Sequence, residues 1–429
     1  MKSLEEVKDM ETKRKDIKYQ LEHGYRLQTL MHKVNEETLL WQHEKQAKGK
    51  APGIDGINKE KYEENVKGNI ADLLVRMKKF AYSPKPVRRT YIPKANGKLR
   101  GLGIPAYEDR LVQGAMADVL NEIYENIFLN CSYGFRPKLN CHKAISQINW
   151  LLMTTKVNYI LDADIKGFFD NVDHKILMEL LEKTIEDKNF LRYIKRFLKA
   201  GIMEDMNYYE SDKGTPQGGL ISPILANVYL HYALDEWFIR EIKPRLKGDA
   251  YIIRYADDFM MMFQYEDEAK RVYEVLIKRL AKFKLELAED KTRILPFGRF
   301  KGTNETFDFL GFTFGNSKTL TGKYRPSITT SKKKMKQKKQ SVKKFLHDFM
   351  HEPILVVGEK IKKKIIGHYA YYGINGNYKY LLRFYKYIKY EWYRVLRKRG
   401  QKKPIKYEDY IRIWDYLEIP LPKIYANVW

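Results

Sequence analysis

Tyr251-Ile252-Ile253-Arg254-Tyr255-Ala256-Asp257-Asp258-Phe259-Met260-Met261-Met262-Phe263 decides the architecture. Two runs rich in apolar and aromatic residues flank a pair of adjacent acids. The pattern predicts two strands joined by a tight turn, a β-hairpin with carboxylates at its tip. Aspartate is also a common turn residue, so a purely structural turn is the competing reading. A rigid hairpin that presents two carboxylates is suited to holding a divalent cation.

A second acidic segment strengthens that reading. Tyr159-Ile160-Leu161-Asp162-Ala163-Asp164 predicts a strand, and Ile165-Lys166-Gly167-Phe168-Phe169-Asp170 a turn into a helix. Alternation places Asp162 and Asp164 on one face of the strand. One acid at a strand end beside a pair on a neighbouring hairpin brings three carboxylates around two metal ions, as two-metal phosphoryl transfer requires. Hard oxygen donors favour Mg²⁺, with Mn²⁺ as a substitute. A structural role is expected for Asp162 and Asp170.

The remaining motifs fall into a series. Gly49-Lys50-Ala51-Pro52-Gly53-Ile54-Asp55-Gly56 precedes Ile92-Pro93-Lys94-Ala95-Asn96-Gly97-Lys98-Leu99-Arg100 and Ser132-Tyr133-Gly134-Phe135-Arg136-Pro137. After the Asp164 segment come Gly214-Thr215-Pro216-Gln217-Gly218-Gly219, Asp257-Asp258, Asp290-Lys291-Thr292 and Phe309-Leu310-Gly311-Phe312. In this order the chain resembles the group II intron-encoded reverse transcriptases and maturases of bacteria and their free-standing relatives, from about Leu27 onward. The resemblance implies an α/β right-hand polymerase: fingers, a palm with an antiparallel sheet flanked by helices, and an all-α thumb or X (maturase) domain. The expected divisions are an N-terminal extension over 1–45, fingers with some palm helices over 46–157, the palm over 158–314 and the thumb over 315–429. An endonuclease module is not expected.

Composition agrees with a nucleic-acid partner. The 429 residues carry a formal charge of +26 and a pI near 9.6, which calls for a polyanion. The 32 tyrosines interleave with lysine and arginine, as stacking on unpaired RNA bases would use. No run of apolar residues is long enough for a membrane span, and Cys131 and Cys141 form no metal-ligand spacing. A cytoplasmic setting is expected. The segment after Gly315 holds roughly 28 basic against about 8 acidic residues and three long helical patterns.

The resemblance implies roles residue by residue. Asp164 and Asp257 are expected metal ligands, with the Ile165 carbonyl completing the shell and Asp258 a weaker ligand. Phe169 would lie beneath the sugar of an incoming dNTP and reject a 2′-hydroxyl, while Phe168 fills the core. Lys94 and Arg100 flank a predicted Asn96-Gly97 hairpin turn and would contact the triphosphate, with Arg89 and Lys98 as substitutes. Gln217 would face the nucleotide. Lys291 is either a general acid near the leaving pyrophosphate or a salt-bridge partner of Asp290. Lys332, Lys333, Lys334 and Lys336 are expected to hold duplex phosphates or to form a solvated face. The expected partners are an RNA template, a DNA primer, dNTPs and the parent intron RNA. Two other readings stay open: a host-adopted free-standing enzyme of phage defence or DNA repair, and a splicing-only RNA-binding maturase.

Overall fold

A computed structural model describes residues 17–93, 99–204, 207–209, 213–214, 218–399 and 403–429. After a helical stretch over residues 17–22 come helices α1 (Glu36–Lys45), α2 (Lys59–Glu63) and α3 (Val66–Lys78). A single helix from Asn58 to Phe80 is expected from periodicity. It breaks at Asn65, whose φ of −146° is not helical. Strands β1 (Val87–Pro93) and β2 (Leu99–Ile104) pair antiparallel, from Arg88↔Ile104 to Pro93↔Leu99. The Asn96-Gly97 turn lies outside the described residues.

Helices α4 (Tyr107–Tyr124) and α5 (Cys141–Thr154) lead to strand β3 (Tyr159–Asp164). Then follow α6 (Phe168–Asn171), α7 (His174–Glu182), α8 (Lys188–Leu198), the short strands β4 (Ile202–Glu204) and β5 (Asn207–Tyr209), and α9 (Ser222–Leu230). β1 pairs in parallel with β4, giving a first sheet in the order β2-β1-β4-β5.

The second sheet is formed by β3 with β6 (Ala250–Tyr255), β7 (Asp258–Phe263) and β8 (Arg293–Pro296). Its order is β6-β7-β3-β8, antiparallel throughout. Helix α10 (Glu266–Lys282) packs against β3 and β7. Alternation sorts the sheet's side chains into two cores. Leu161, Ala163, Ile252, Phe259, Met261 and Phe263 join the N-terminal helices and α10, whereas Ile160, Ile253, Met260 and Met262 join α5 and the C-terminal helices. Both faces are covered, which is why Phe259 to Phe263 is an unbroken buried run.

A third sheet orders β9 (Thr306–Phe309), β10 (Phe312–Gly315) and β11 (Ser327–Thr330) as β11-β10-β9. The segment expected to be all helical from residue 315 therefore begins with a strand, because β11 completes this sheet. Helices α11 (Lys332–Asp348), α12 (Ile354–Tyr372), α13 (Tyr378–Arg399) and α14 (Tyr407–Tyr416) close the chain around Trp392, Tyr410 and Trp414. The fold is thus mixed α/β with antiparallel pairing and a helical C-terminal region. No helix among the described residues is long and apolar enough to cross a membrane.

Candidate active site

β6 and β7 pair up to Tyr255↔Asp258, so the hairpin turn is Ala256 and Asp257 alone. Ala256 has φ +58°, a left-handed conformation that costs a side-chain-bearing residue about 1 kcal/mol or more. Contacts from behind hold it there. The buried Arg254 donates Nη1 to the Ala256 carbonyl (3.0 Å) and to Asn227 Oδ1 (2.8 Å). Its Nε and Nη2 donate to the two oxygens of Asp235, at 2.7 and 2.5 Å. Asn227 in turn donates to the Gly134 carbonyl at 2.7 Å. Gly134 lies so close that a Cβ there would sit 2.3 Å from the Ala256 nitrogen. The Ser132–Pro137 motif therefore braces the turn.

Asp164, at the end of β3, stands opposite Asp258 in the register. The chain beyond it pairs with residues 286–288. Ala288 N–H donates to the Asp164 carbonyl (2.8 Å) and Lys166 N–H to the Glu286 carbonyl (2.9 Å). Neither bond uses the Ile165 carbonyl. The same pairing delivers Lys291, whose Nζ lies 2.5 Å from Asp164 Oδ2. The predicted partner Asp290 is replaced by Asp164, and this hydrogen bond raises the Lys291 pKa.

Asp258 reaches solvent at the start of β7, yet the surrounding protein partly desolvates its carboxylate. That desolvation, then the like charges of Asp257 and Asp164, push its carboxyl up to about 6. Lys334 of α11 is close enough to oppose the rise. Asp162 also rises to about 6 through burial, although Arg293 stands 3.7 Å away and opposes the shift. Asp170 is exposed on α6. Among the described residues no three His, Cys, Asp or Glu side chains converge as a ready-made metal cage. The Lys291 ammonium is paired with Asp164. The oxygen-only donor set of Asp164, Asp257, Asp258 and the Ile165 carbonyl suits a hard divalent ion.

Phe168 and Phe169 lie in a helical turn after Gly167 (φ +55°) rather than in a strand, so their rings meet edge-on at 5.3 Å instead of pointing apart. Phe168 is buried, as expected of a core residue, and Phe169 is half-buried. The loop bearing Gln217 is pinned at both ends. A Cβ on Gly214 would lie 3.0 Å from the Phe169 carbonyl, and one on Gly218 2.3 Å from the Gly103 carbonyl. Gln217 and Lys94 themselves lie outside the described residues, and of Arg100 only the backbone, paired with Ile92, is described. Arg89 crosses Gly101 and approaches the Tyr91 ring. Lys332, Lys333, Lys334 and Lys336 are all exposed on the first turns of α11. They do not share one face: Lys332 and Lys336 are one turn apart, whereas Lys334 lies on the other side of the helix, and its charge acts on Asp258.

Sequence reasoning missed the Arg254–Asp235–Asn227 brace. Its signal was present, since Arg254 shares the buried face of Ala250 and Ile252. A charge at a core position requires a buried partner. Nothing local says that the partner is Asp235.

Residues 92–314 match the family described as reverse transcriptase (RNA-dependent DNA polymerase). The chain is 33% identical over 299 residues to the group II intron-encoded protein LtrA of Lactococcus lactis subsp. cremoris, covering 68% of this chain and 46% of LtrA. It is 32% identical over 320 residues to protein YkfC of Escherichia coli K12, covering 66% of this chain and 81% of YkfC. A shorter match, 30% over 97 residues, covers 22% of this chain and 13% of nuclear intron maturase 1, mitochondrial, of Arabidopsis thaliana. The chain thus spans about half of LtrA and most of YkfC. The braced acidic hairpin lies inside the matched region, and the chain belongs to the reverse transcriptase family, with homology to group II intron-encoded proteins.

Proposed function

We propose that the chain extends a DNA primer on an RNA template, using dNTPs, at the site formed by Asp164, Asp257 and Asp258. The observation that carries this reading is the register Asp164↔Asp258 with Asp257 on the adjoining two-residue turn. Two Mg²⁺ ions held there would activate the primer 3′-hydroxyl and neutralise the leaving pyrophosphate. Asp164, Asp257, Asp258 and the Ile165 carbonyl would hold them. Lys291, which is paired with Asp164, would give a proton to the departing oxygen. Phe169 limits space beneath the sugar, Gln217 faces the nucleotide, and Lys94 and Arg100 hold the triphosphate.

In this reading residues 46–157 are fingers, 158–314 the palm and 315–429 a thumb, with Lys332, Lys333, Lys334 and Lys336 at its entrance. The names of LtrA and of the plant maturase support a second role, binding of a parent intron RNA. A cytoplasmic setting is consistent with both roles.

The deciding experiment is primer extension by Asp257→Ala. Extension is expected to fall by about 10³-fold or more, a loss of roughly 4 kcal/mol of transition-state stabilisation. Template–primer affinity should stay within about tenfold, or 1.4 kcal/mol. Near-normal extension by the purified variant would remove the assignment. Lost extension with intact RNA binding in the unmutated chain would favour the splicing-only reading.

A further inference from the structure

A cleft of about 420 Å³ lies between the outer face of α8, the segment Ser83–Pro86 and Tyr208 of β5. It borders the first sheet, and none of its lining residues belongs to β3, β6 or β7. Four cations line it, Arg192, Lys195, Arg196 and Lys199, and no carboxylate does so among the described residues. The cause is helical periodicity. Phe190, Tyr193, Ile194 and Phe197 face the core, while Lys188, Arg192, Lys195 and Lys199 recur every three or four residues on the exposed face. Successive cations of this stripe stand roughly 4.5–6 Å apart along the axis. That is close to the step between phosphates of an extended strand. None of these four forms an ion pair with a carboxylate among the described residues.

The mount is rigid. Asp187 caps α8 through Asn189 and Phe190 N–H and also accepts from Leu30 and Met31 N–H. Arg196 donates to the Phe80 and Tyr82 carbonyls, and Arg192 lies over the Phe80 ring at 4.4 Å. Tyr208 adds a stacking platform. One edge of its ring rests on Gly201, where a Cβ would come within 2.5 Å of it, yet the residue is 53% exposed. A basic track beside an exposed aromatic ring is how single strands are held: phosphates on the cations, an unstacked base on the ring. Ser83 on the facing wall offers a hydroxyl to a ribose 2′-OH.

We propose that this cleft binds single-stranded RNA outside the catalytic site, with Arg192, Lys195 and Lys199 on successive phosphates and a base on Tyr208. The inference rests on the reading of the chain as an RNA-handling protein, but its test does not require polymerisation. Anisotropy of a labelled 12-nucleotide oligo(U) is measured on the full chain over a salt series. Saturating blunt primer–template duplex is present to occupy the catalytic site. Oligo(dT) is run in parallel. K195Q/K199Q should weaken oligo(U) binding about tenfold or more and flatten the slope of log K against log[salt] by about 1.4, at roughly 0.7 per phosphate. Tyr208→Ala should weaken it about fivefold with the slope unchanged. Duplex binding and single-nucleotide extension should stay within twofold. Unchanged oligo(U) affinity and slope in K195Q/K199Q would overturn the site. An equal loss on the duplex would reduce it to a general basic surface and overturn it as well. Tighter binding of oligo(dT) than oligo(U), abolished by the same variants, would overturn the assignment to RNA. Failure of the polymerase reading would appear separately, as absent extension with oligo(U) binding intact.

Discussion

The hairpin from Ala250 to Phe263 and the helices from Lys332 to Tyr416 treat charge in opposite ways. The hairpin buries a complete ion pair, Arg254 with Asp235, and uses it to aim carboxylates outward. The helices put their lysines and arginines outside and bury a histidine instead. His368 is 1% exposed, it packs on Phe384 with ring centroids 3.9 Å apart, and neither ring nitrogen has a partner among the described residues. Where position matters to a fraction of an ångström, a directional buried network is used. Where a broad electrostatic surface suffices, an aromatic core supports it and, apart from Glu391, which is buried beside Arg394, charge remains in water.

Breaking the buried pair gives the largest effect. Asp235→Ala leaves the Arg254 guanidinium buried without its counter-ion, at an expected cost of about 3–5 kcal/mol in urea unfolding. The double change R254M/D235L should recover most of that stability, since apolar replacement of a buried pair is often near neutral. Extension should nevertheless stay low, because Met cannot donate to the Ala256 carbonyl or to Asn227. If the double variant extends primers normally, the network is a stability element only and the contrast between the regions fails.

The tandem phenylalanines sharpen the same point inside the acidic region. Phe168→Ala should cost about 3–5 kcal/mol, because its ring is fully enclosed. Phe169→Ala should cost clearly less and raise ribonucleotide over deoxyribonucleotide incorporation, read as the ratio of kcat/KM values. Relaxed selectivity in the Phe168 variant alone would put the gate one residue earlier.

His368 supplies the matching test in the helices. Burial, with the Lys338 charge acting in the same direction, lowers its pKa from 6.5 to about 3. Above pH 6.5 both folded and unfolded forms are neutral and the group contributes no pH dependence. As pH falls from 6.5 toward 3 the unfolded chain takes up a proton that the folded chain refuses, so stability is lost, by about 2 kcal/mol at pH 5. His368→Phe should flatten this part of the pH–stability curve. A curve equally steep in the variant would assign the acid loss to other groups.

Much of this was legible in the sequence because it is local. Alternation around Asp257 gave the hairpin, and 3.6-residue periodicity gave α11, α12 and α13 to within a few residues. Asp164 and Asp258 came together because strand ends beside one another share an edge of the sheet. The rest depended on long-range pairing. Lys291 was expected either near the leaving pyrophosphate or beside Asp290, its neighbour in sequence. It lies on Asp164 because the strand-like extension at Ile165 pairs with Leu287. β11 was hidden just ahead of the lysine run, since a four-residue edge strand carries little pattern. α14, after Pro404, was not foreseen, and its Trp414 becomes meaningful only against Trp392 and Tyr385.

The smallest expected effect tests the exposed side of the contrast. Neutralising Lys332, Lys333, Lys334 and Lys336 to Gln together should leave thermal stability nearly unchanged, because all four are exposed on α11. If the helices grip a template–primer, the slope of log K against log[salt] should flatten by about one unit or more, at roughly 0.7–0.9 per phosphate released. It should flatten by less than four such increments, because the four side chains point around the helix and cannot all meet one backbone. Lys334 is the member to separate. Its charge acts on Asp258, so Lys334→Gln alone should lower single-turnover incorporation more than it changes the salt slope, whereas K332Q/K336Q should change the slope and product length and leave incorporation from a bound complex alone. A slope unmoved by all four changes would make this face a solubilising one. The grip would then belong to the remaining cations of α12 and α13. The reverse split, with Lys334→Gln altering only the slope, would place that lysine on the duplex and return the carboxylates' nearest mobile cation to Lys291.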